Sequence, residues 1–369
     1  MKTNLIQESF LPLPILQPPL LTPPSSNQIQ ATASKRATFR KFMAEAPIRV
    51  NEWSLKQVCQ EPTIHFSDSS GELRKKFIES IREAKKSIEI MTFTFSDSEI
   101  IQLLLQKVKE GVQVTIAIDK DHMGSLLPHK DLIKLITRNA GDGRVHHKLM
   151  AIDGETVWIG SANFSPEALL KQNNTMVQTH SKELAQAIHE EIGAFSGICK
   201  RDPKPLPPFE VEGQTLELLF FPHVPFGVLN SPEKAINDAG KQRIIEMINE
   251  AKKSLRFAIC VWTDPDLAKA VINAKNRGVD VQVILWKKAE SAEIAKLFEQ
   301  ENIKVIEKPH LSLMHNKWMF VDEQQFLNCS ANWSKSWFSR NDESALIIQN
   351  VSHTQKQGLN DYWDQLLNA

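Results

Sequence analysis

The sequence predicts an α/β protein made of two homologous α/β/α sandwich halves with mixed, largely parallel sheets, related by a pseudo-twofold axis. Three observations predict it. The stretch "FIESIREAKKSIEIMTFTFSDSEIIQLLLQKVKEGVQVTIAID" from residue 77 returns without a gap as "IIEMINEAKKSLRFAICVWTDPDLAKAVINAKNRGVDVQVILW" from residue 244. Within each copy, apolar residues alternate between helical and strand periods, the βαβ signature of a helix-covered sheet. Between the copies, "RDPKPLPP" has the proline density of a linker.

Each element follows from local chemistry. An amphipathic helix is expected over 77–86 and again over 244–253, closing in lysines that suit a helix C-terminus. An apolar strand follows over 88–95 and 255–262. A second helix closes at Gly111 or Gly278, and the β-branched runs "VQVTIAI" and "VQVILW" read as buried strands. "ETVWIGSAN" and "QQFLNCSAN" read as a further strand running into a loop. The division expected is a flexible proline-rich tail over 1–45, an N-terminal domain over 46–205 and a C-terminal domain over 206–369, in a monomer whose two halves imitate a dimer.

Bulk properties narrow the function. The 369 residues carry 44 Lys plus Arg against 44 Asp plus Glu, so no overall positive field gathers nucleic acid or anionic lipid. Cys59, Cys199, Cys260 and Cys329 are scattered, with neither a CxxC pair nor a histidine cluster, and read as buried thiols. The first 40 residues are apolar, but prolines at 12, 14, 18, 19, 23 and 24 break any spanning helix. A tail is the first reading and an atypical export peptide the alternative. Compartment stays open: soluble, peripheral at a membrane, or secreted through that tail, with no transmembrane segment.

The chemistry is concentrated in one repeated spacing. "RVHHKLMAID" contains His146, Lys148 and Asp153, and "LMHNKWMFVD" contains His315, Lys317 and Asp322, the same HxKx4D pattern displaced by 169 residues (146 to 315). Ser161 and Asn163 in "GSAN" recur as Ser330 and Asn332 in "CSAN". One such motif arises by chance in roughly a few per cent of chains this long; two in register with a repeat do not. In a strand, residues i and i+2 share a side, so His146 and Lys148 face one site while His147 faces away, and His315 and Lys317 do likewise. Two imidazoles at one site can divide nucleophilic attack and proton donation, because histidine titrates near neutrality.

On these motifs the chain resembles the phospholipase D superfamily of "HKD" phosphodiesterases over about 62–369. The resemblance implies a phospholipase D-like fold, two motifs converging on one phosphate at the interface between halves, a phosphohistidine intermediate, and neither metal nor other cofactor. It implies a catalytic set of His146, Lys148, Asp153, Asn163, His315, Lys317, Asp322, Asn332 and Glu343, with Lys148, Ser161, Asn163, Lys317, Ser330 and Asn332 on the phosphate and both aspartates in support. A further feature of that superfamily is N-x-E, whose carboxylate orients a histidine across the interface. It is present as Asn341 and Glu343, and at the matching place in the first half Asn173 and Thr175 leave the carboxylate missing. A crossing of Glu343 to His146 makes His146 the nucleophile and His315 the acid. Cys329 stands where the superfamily prefers glycine.

The substrate expected is a phospholipid at a membrane surface, cleaved or transferred to an alcohol, because "LELLFFPHVPFGVLNSP" places Phe220, Phe221, Phe226 and Leu229 near the site and Trp333, Trp337 and Phe338 follow Asn332. A nuclease is the main alternative, since bases also stack on aromatics, and a catalytically inactive effector or binding module is the third. The other histidines, including His65, His122, His129, His189, His223 and His310, read as surface or structural.

Overall fold

The structure, a computed structural model, describes residues 60–67, 70–138, 143–195, 206–221, 239–286, 289–308, 314–334 and 340–368. The expected tail, the linker with the 205/206 boundary, Phe226, Leu229, Trp337, Phe338, Cys59, Cys199, His223 and His310 lie wholly or partly outside those residues.

The first half opens with β1 (Thr63–Phe66), α1 (Glu72–Glu83), β2 (Ser87–Thr92), α2 (Ser98–Lys109), β3 (Gln113–Ile118) and β4 (Lys134–Ile136). It continues with β5 (Lys148–Ile152), β6 (Thr156–Gly160), α3 (Pro166–Leu170), β7 (Thr175–His180) and α4 (Lys182–Phe195). The second half comprises β8 (Phe209–Val211), β9 (Gln214–Phe221), α5 (Ala239–Glu250), β10 (Ser254–Ile259), α6 (Pro265–Asn276), β11 (Asp280–Trp286), α7 (Ala292–Gln300) and β12 (Lys304–Lys308). It ends with β13 (Lys317–Val321), β14 (Gln325–Cys329), β15 (Glu343–Gln349) and α8 (His353–Asn368).

Two mixed sheets result, in the orders β1-β7-β6-β5-β2-β3-β4 and β12-β11-β10-β13-β14-β15-β9-β8. "Largely parallel" is corrected. Only β2·β3, β3·β4, β10·β11 and β11·β12 run parallel, and the motif strands β5 and β13 lie antiparallel to β2 and β10 and to their own successors β6 and β14. The physical reason is in the motif itself. Asp153 and Gly154 both take left-handed backbone (φ 56 and 70), and Glu155 N donates to Ile152 O at 3.1 Å, which is a type I′ hairpin turn reversing the chain. Asp322 and Glu323 (φ 52 and 54) make the same turn without a glycine.

The helix ends obey the sequence signals with small shifts. α1 and α5 stop before the lysines that were expected to close them. Gly111 and Gly278, at φ 91 and 93, follow α2 and α6 in the left-handed conformation that a side chain would disfavour. Asp97 caps α2 by accepting from Glu99 N and Ile100 N while Arg74 of α1 grips its carboxylate at 2.7 and 2.8 Å. Asp264 and Lys241 repeat that arrangement at α6 and α5.

Burial explains how the halves join. The outer face of the first sheet packs on α1 and α2 through Phe77, Ile81, Ile100 and Leu104, and that of the second packs on α5, α6 and α7 through Ile244, Val271 and Phe298. A third cluster belongs to both halves: Leu149, Ile159 and Ile188 of the first lie in one apolar core with Trp318, Phe326, Leu359 and Trp363 of the second. Each large apolar side chain so buried contributes about 1.5–3 kcal/mol, so the halves are fused by a core rather than tethered. Among the described residues no helix is long and apolar enough to cross a membrane.

Candidate active site between the two halves

Both motif histidines sit just before the first residue of an antiparallel strand, and each is bonded through its backbone to the other half. His146 N donates to Asp342 O, and His315 N donates to Asn173 O, both at 2.9 Å. The bridges Val145–Asp342 and Asn173–Met314 complete two matching seams. Backbone pairing therefore carries each histidine to the opposite half, where its ring finds a partner: Glu343 Oε2 lies 2.8 Å from His146 Nδ1, and Asn174 Oδ1 lies 2.8 Å from His315 Nδ1. With Nδ1 as the donor in each, Nε2 is the ring nitrogen left for a substrate.

The partner of His315 corrects the sequence reading. Asn174, not Thr175, occupies the place of Glu343. Ser161 Oγ donates to Asn174 Oδ1 at 3.0 Å just as Ser330 Oγ donates to Glu343 Oε2 at 2.6 Å, and Thr175 N donates to Ser161 Oγ as Ser344 N does to Ser330 Oγ. The signal was available: the 169-residue displacement of the histidines and serines, kept constant, pairs 174 with 343, whereas matching asparagine to asparagine loses one residue. Thr175 instead donates its hydroxyl to Asn316 at 2.8 Å. The same contacts correct the expectation for Ser161 and Ser330. Both are fully buried, and their hydroxyls hold Asn174 and Glu343 rather than facing a phosphate.

Lys148 and Lys317 are fully buried, and each ammonium donates to the carbonyl of its own histidine at 2.6 Å. Asn163 and Asn332 each keep a buried side-chain oxygen without a hydrogen-bond partner among the described residues, an acceptor that suits a donor group and not a phosphate oxygen. Asp153 and Asp322 lie at the far ends of β5 and β13. Asp153 accepts from the N–H groups of Lys85, Lys86 and Ser87 at 2.7–3.1 Å, and Asp322 from Lys252, Lys253 and Ser254 at 2.7–2.9 Å. They tie the hairpin turn to the start of the neighbouring strand and stand outside the reacting centre. Those N–H groups outweigh burial and hold both carboxyls below their usual range.

The electrostatics are those of a site for an anion. Burial pulls His146 down to about 4 despite Glu343, with Lys148 and Lys317 adding to the depression. Burial, Lys317, Lys148 and His146 hold His315 well below the usual histidine range, so four basic groups from two halves feel one another. Lys148 is likewise lowered by burial and by Lys317, against Glu343. Glu343 lies below its ordinary range because His146, Lys148 and Ser330 overcome its burial. Cys329 donates to Lys317 O at 2.9 Å, and burial pushes its thiol up to about 12, so it packs as a neutral small side chain. At the matching place a side chain on Gly160 would meet Thr175 O at 2.2 Å.

Several aromatic expectations change. Phe220 and Phe221 belong to β9 and are buried, Phe220 against the ring of His147 at 5.7 Å, and Trp333 is fully buried against Trp262 and Phe257. None of the three offers an apolar surface to a membrane. His147 faces away from His146 and lies buried 3.4 Å from Glu191. His122, expected to be unrelated to the site, packs against Phe93 at 4.2 Å, and Phe93 lies 5.1 Å from His146.

Residues 77–195 and 244–366 both match the family described as "Cardiolipin synthase, PLD-like domain". The chain is 22% identical over 348 residues to a minor cardiolipin synthase of Bacillus subtilis, covering 85% of this chain and 84% of that protein. It is 28% identical over 113 residues to a mitochondrial cardiolipin hydrolase of Xenopus tropicalis, covering 30% of this chain and 54% of that protein. Among solved structures, a phosphatidylserine synthase of Haemophilus influenzae superposes with a TM-score of 0.62 at 16% identity, over 85% of this chain and 88% of that one, a likeness of fold. Two matched regions, each with its own histidine–lysine motif and joined at one buried cluster, place this protein in the cardiolipin synthase PLD-like domain family of the phospholipase D superfamily.

Proposed function

We propose that the protein is a metal-independent phosphodiesterase that cleaves, or transfers to an alcohol, the head-group phosphodiester of a phospholipid through a phosphohistidine intermediate. The observation that carries this reading is the reciprocal crossing of the interface, His146 to Glu343 and His315 to Asn174, which gives two histidines of one site partners of unlike charge. The domains expected at 46–205 and 206–369 each contribute one motif.

Glu343 accepts from Nδ1 of His146, leaves Nε2 free and compensates the positive charge that the ring gains when Nε2 bonds to phosphorus. Asn174 orients His315 without a charge, so an imidazolium there gives up its proton readily. An anionic phosphodiester between Lys148 and Lys317 reverses the depression of these groups, charging the amines and protonating His315. His146 Nε2 then attacks phosphorus, the bond to the leaving alcohol breaks, and His315 supplies that alcohol's proton. In the second half-reaction His315 takes a proton from water or an acceptor alcohol, whose oxygen displaces His146 and breaks the P–N bond. The lysines and the amides of Asn163 and Asn332 stabilise the equatorial oxygens. The family supplies the substrate class: the relatives are named for cardiolipin synthesis and hydrolysis.

Vesicles of phosphatidylglycerol and of cardiolipin, assayed in chelator for phosphatidic acid and for transfer products, test the reading. Turnover with label captured on histidine supports it. Turnover lost in chelator, or confined to oligonucleotides, overturns it.

A further inference from the structure

The two sides of the site differ in a feature that the chemistry above does not use. On the His146 side, Phe93 follows β2 and is only partly buried, and four cation-capable side chains surround its ring. His122 lies at 4.2 Å and His146 at 5.1 Å between ring centroids, the Arg144 guanidinium carbon at 5.3 Å and the Lys148 ammonium at 5.8 Å. The negative face of an aromatic ring attracts such groups and holds them without neutralising them.

His146 and Lys148 serve the reacting phosphate. His122 and Arg144 remain. Arg144 is exposed, and neither it nor His122 has a carboxylate partner among the described residues. The buried carboxylate of the segment that carries His122, Asp119, accepts from the backbone of Asp121 and Val145. Asp121 on the same turn is exposed and pairs with neither side chain among the described residues.

The second half does not repeat these residues. Buried Cys260 follows β10 where Phe93 follows β2, the short turn Ala289–Ser291 has no histidine, and in the sequence Leu313 stands two residues before His315 where Arg144 stands before His146. In a duplicated chain whose reacting groups are otherwise matched, a one-sided cationic rim distinguishes the two ends of a substrate.

We propose that Phe93, His122 and Arg144 form a second anion subsite beside the reacting centre, which takes the second phosphate of a lipid whose two phosphates are bridged by glycerol. The proposal rests on the lipid reading above and names its substrate as a bisphosphate lipid. Lys148, Lys317, Asn163 and Asn332 already meet the needs of one phosphate, and a lipid with a single phosphate offers the rim nothing to hold. Arg144 supplies a planar fork for phosphate oxygens, His122 a second donor, and Phe93 keeps both beside the reacting centre.

The test compares kcat/KM for cardiolipin with that for phosphatidylglycerol in mixed micelles, using the full chain and the variants Arg144→Gln, His122→Asn and Phe93→Leu, with thermal unfolding as a check on folding. Loss of one charge-assisted contact lowers the cardiolipin to phosphatidylglycerol ratio about tenfold for Arg144→Gln, mainly through KM, and less for the other two. A ratio within twofold of the parent, whether both lipids fall together or neither falls, overturns the subsite and leaves the lipid reading standing. Absence of parent activity on both lipids overturns the lipid reading and the subsite with it. A selective loss on a single-stranded oligonucleotide assigns the rim to a neighbouring nucleotide phosphate, and overturns the lipid assignment.

Discussion

Replacing Glu343 by Gln isolates the charge in the dyad from its shape. Glutamine keeps the length and an acceptor for His146 Nδ1, so the perturbation is the loss of one negative charge 2.8 Å from the imidazole. Coulomb's law at that distance with an effective dielectric of about 20 gives about 6 kcal/mol. That is an upper limit, because Lys148 shares the same carboxylate and the site relaxes. Hydrogen bonds to charged groups are worth about 1.5–3 kcal/mol against about 0.5–1.5 for neutral ones, which sets the lower limit near 1 kcal/mol. Between these, kcat should fall about 10- to 100-fold with KM little changed, since the charge matters only once the ring is cationic. Quenched-flow capture of labelled phosphohistidine is the assay, with the unfolding midpoint measured alongside. A Glu343→Gln enzyme that folds normally and forms the intermediate within twofold of the parent rate would refute the role given to this carboxylate.

The remaining expectations follow from the same geometry. Replacing His146 or His315 with alanine should abolish turnover, and parental activity in either variant sinks the shared centre. Asn174→Asp places a carboxylate on His315 and raises its pKa; the alkaline limb of the pH–rate profile should move to higher pH, and an unmoved limb argues against His315 as the acid. His146 and His315 titrate below their unfolded values, so the unfolded chain binds their protons first. Stability should fall as pH drops below about 6.5 and, for His146, continue falling to about 4, and urea unfolding between pH 7.5 and 5 measures it. Bound tungstate favours the charged forms and should raise the unfolding midpoint more at pH 6 than at pH 8, an effect that disappears in Lys148→Met. Asp153→Ala removes the acceptor of three successive N–H groups and should cost about 2–3 kcal/mol while kcat stays within a few-fold; a catalytic collapse at full stability would place that aspartate in the chemistry instead.

How far the sequence reaches is clear from particular residues. The repeat and the paired motifs are legible, because a duplicated chain writes each functional position twice and composition alone does not; Glu343 stands once, and its crossing to His146 is implied by the superfamily resemblance and seen only in the structure. Asn174 lies one position before the Thr175 that matching asparagine to asparagine selects, since pairing like residues is a weaker rule than a constant displacement. The βαβ rhythm upstream suggests mixed, largely parallel sheets, whereas the Asp153–Gly154 hairpin turn sets the motif strand antiparallel to both its neighbours. Phe220, Phe221 and Trp333 are expected near the site at a membrane surface, yet all three are buried in the core; apolarity does not say which way a side chain faces.

By itself the sequence determined the duplication, the residue types of the paired motifs and the place of each within its own half, since these depend on spacing along one chain. Only the tertiary structure decided that a glutamate serves one histidine and an asparagine the other, that the serines hold those partners, and that Arg144 and His122 gather around Phe93. Those relations run between residues as many as 197 positions apart. They are fixed by backbone pairing at Asp342 and Asn173 and by a shared apolar core, which no local pattern records.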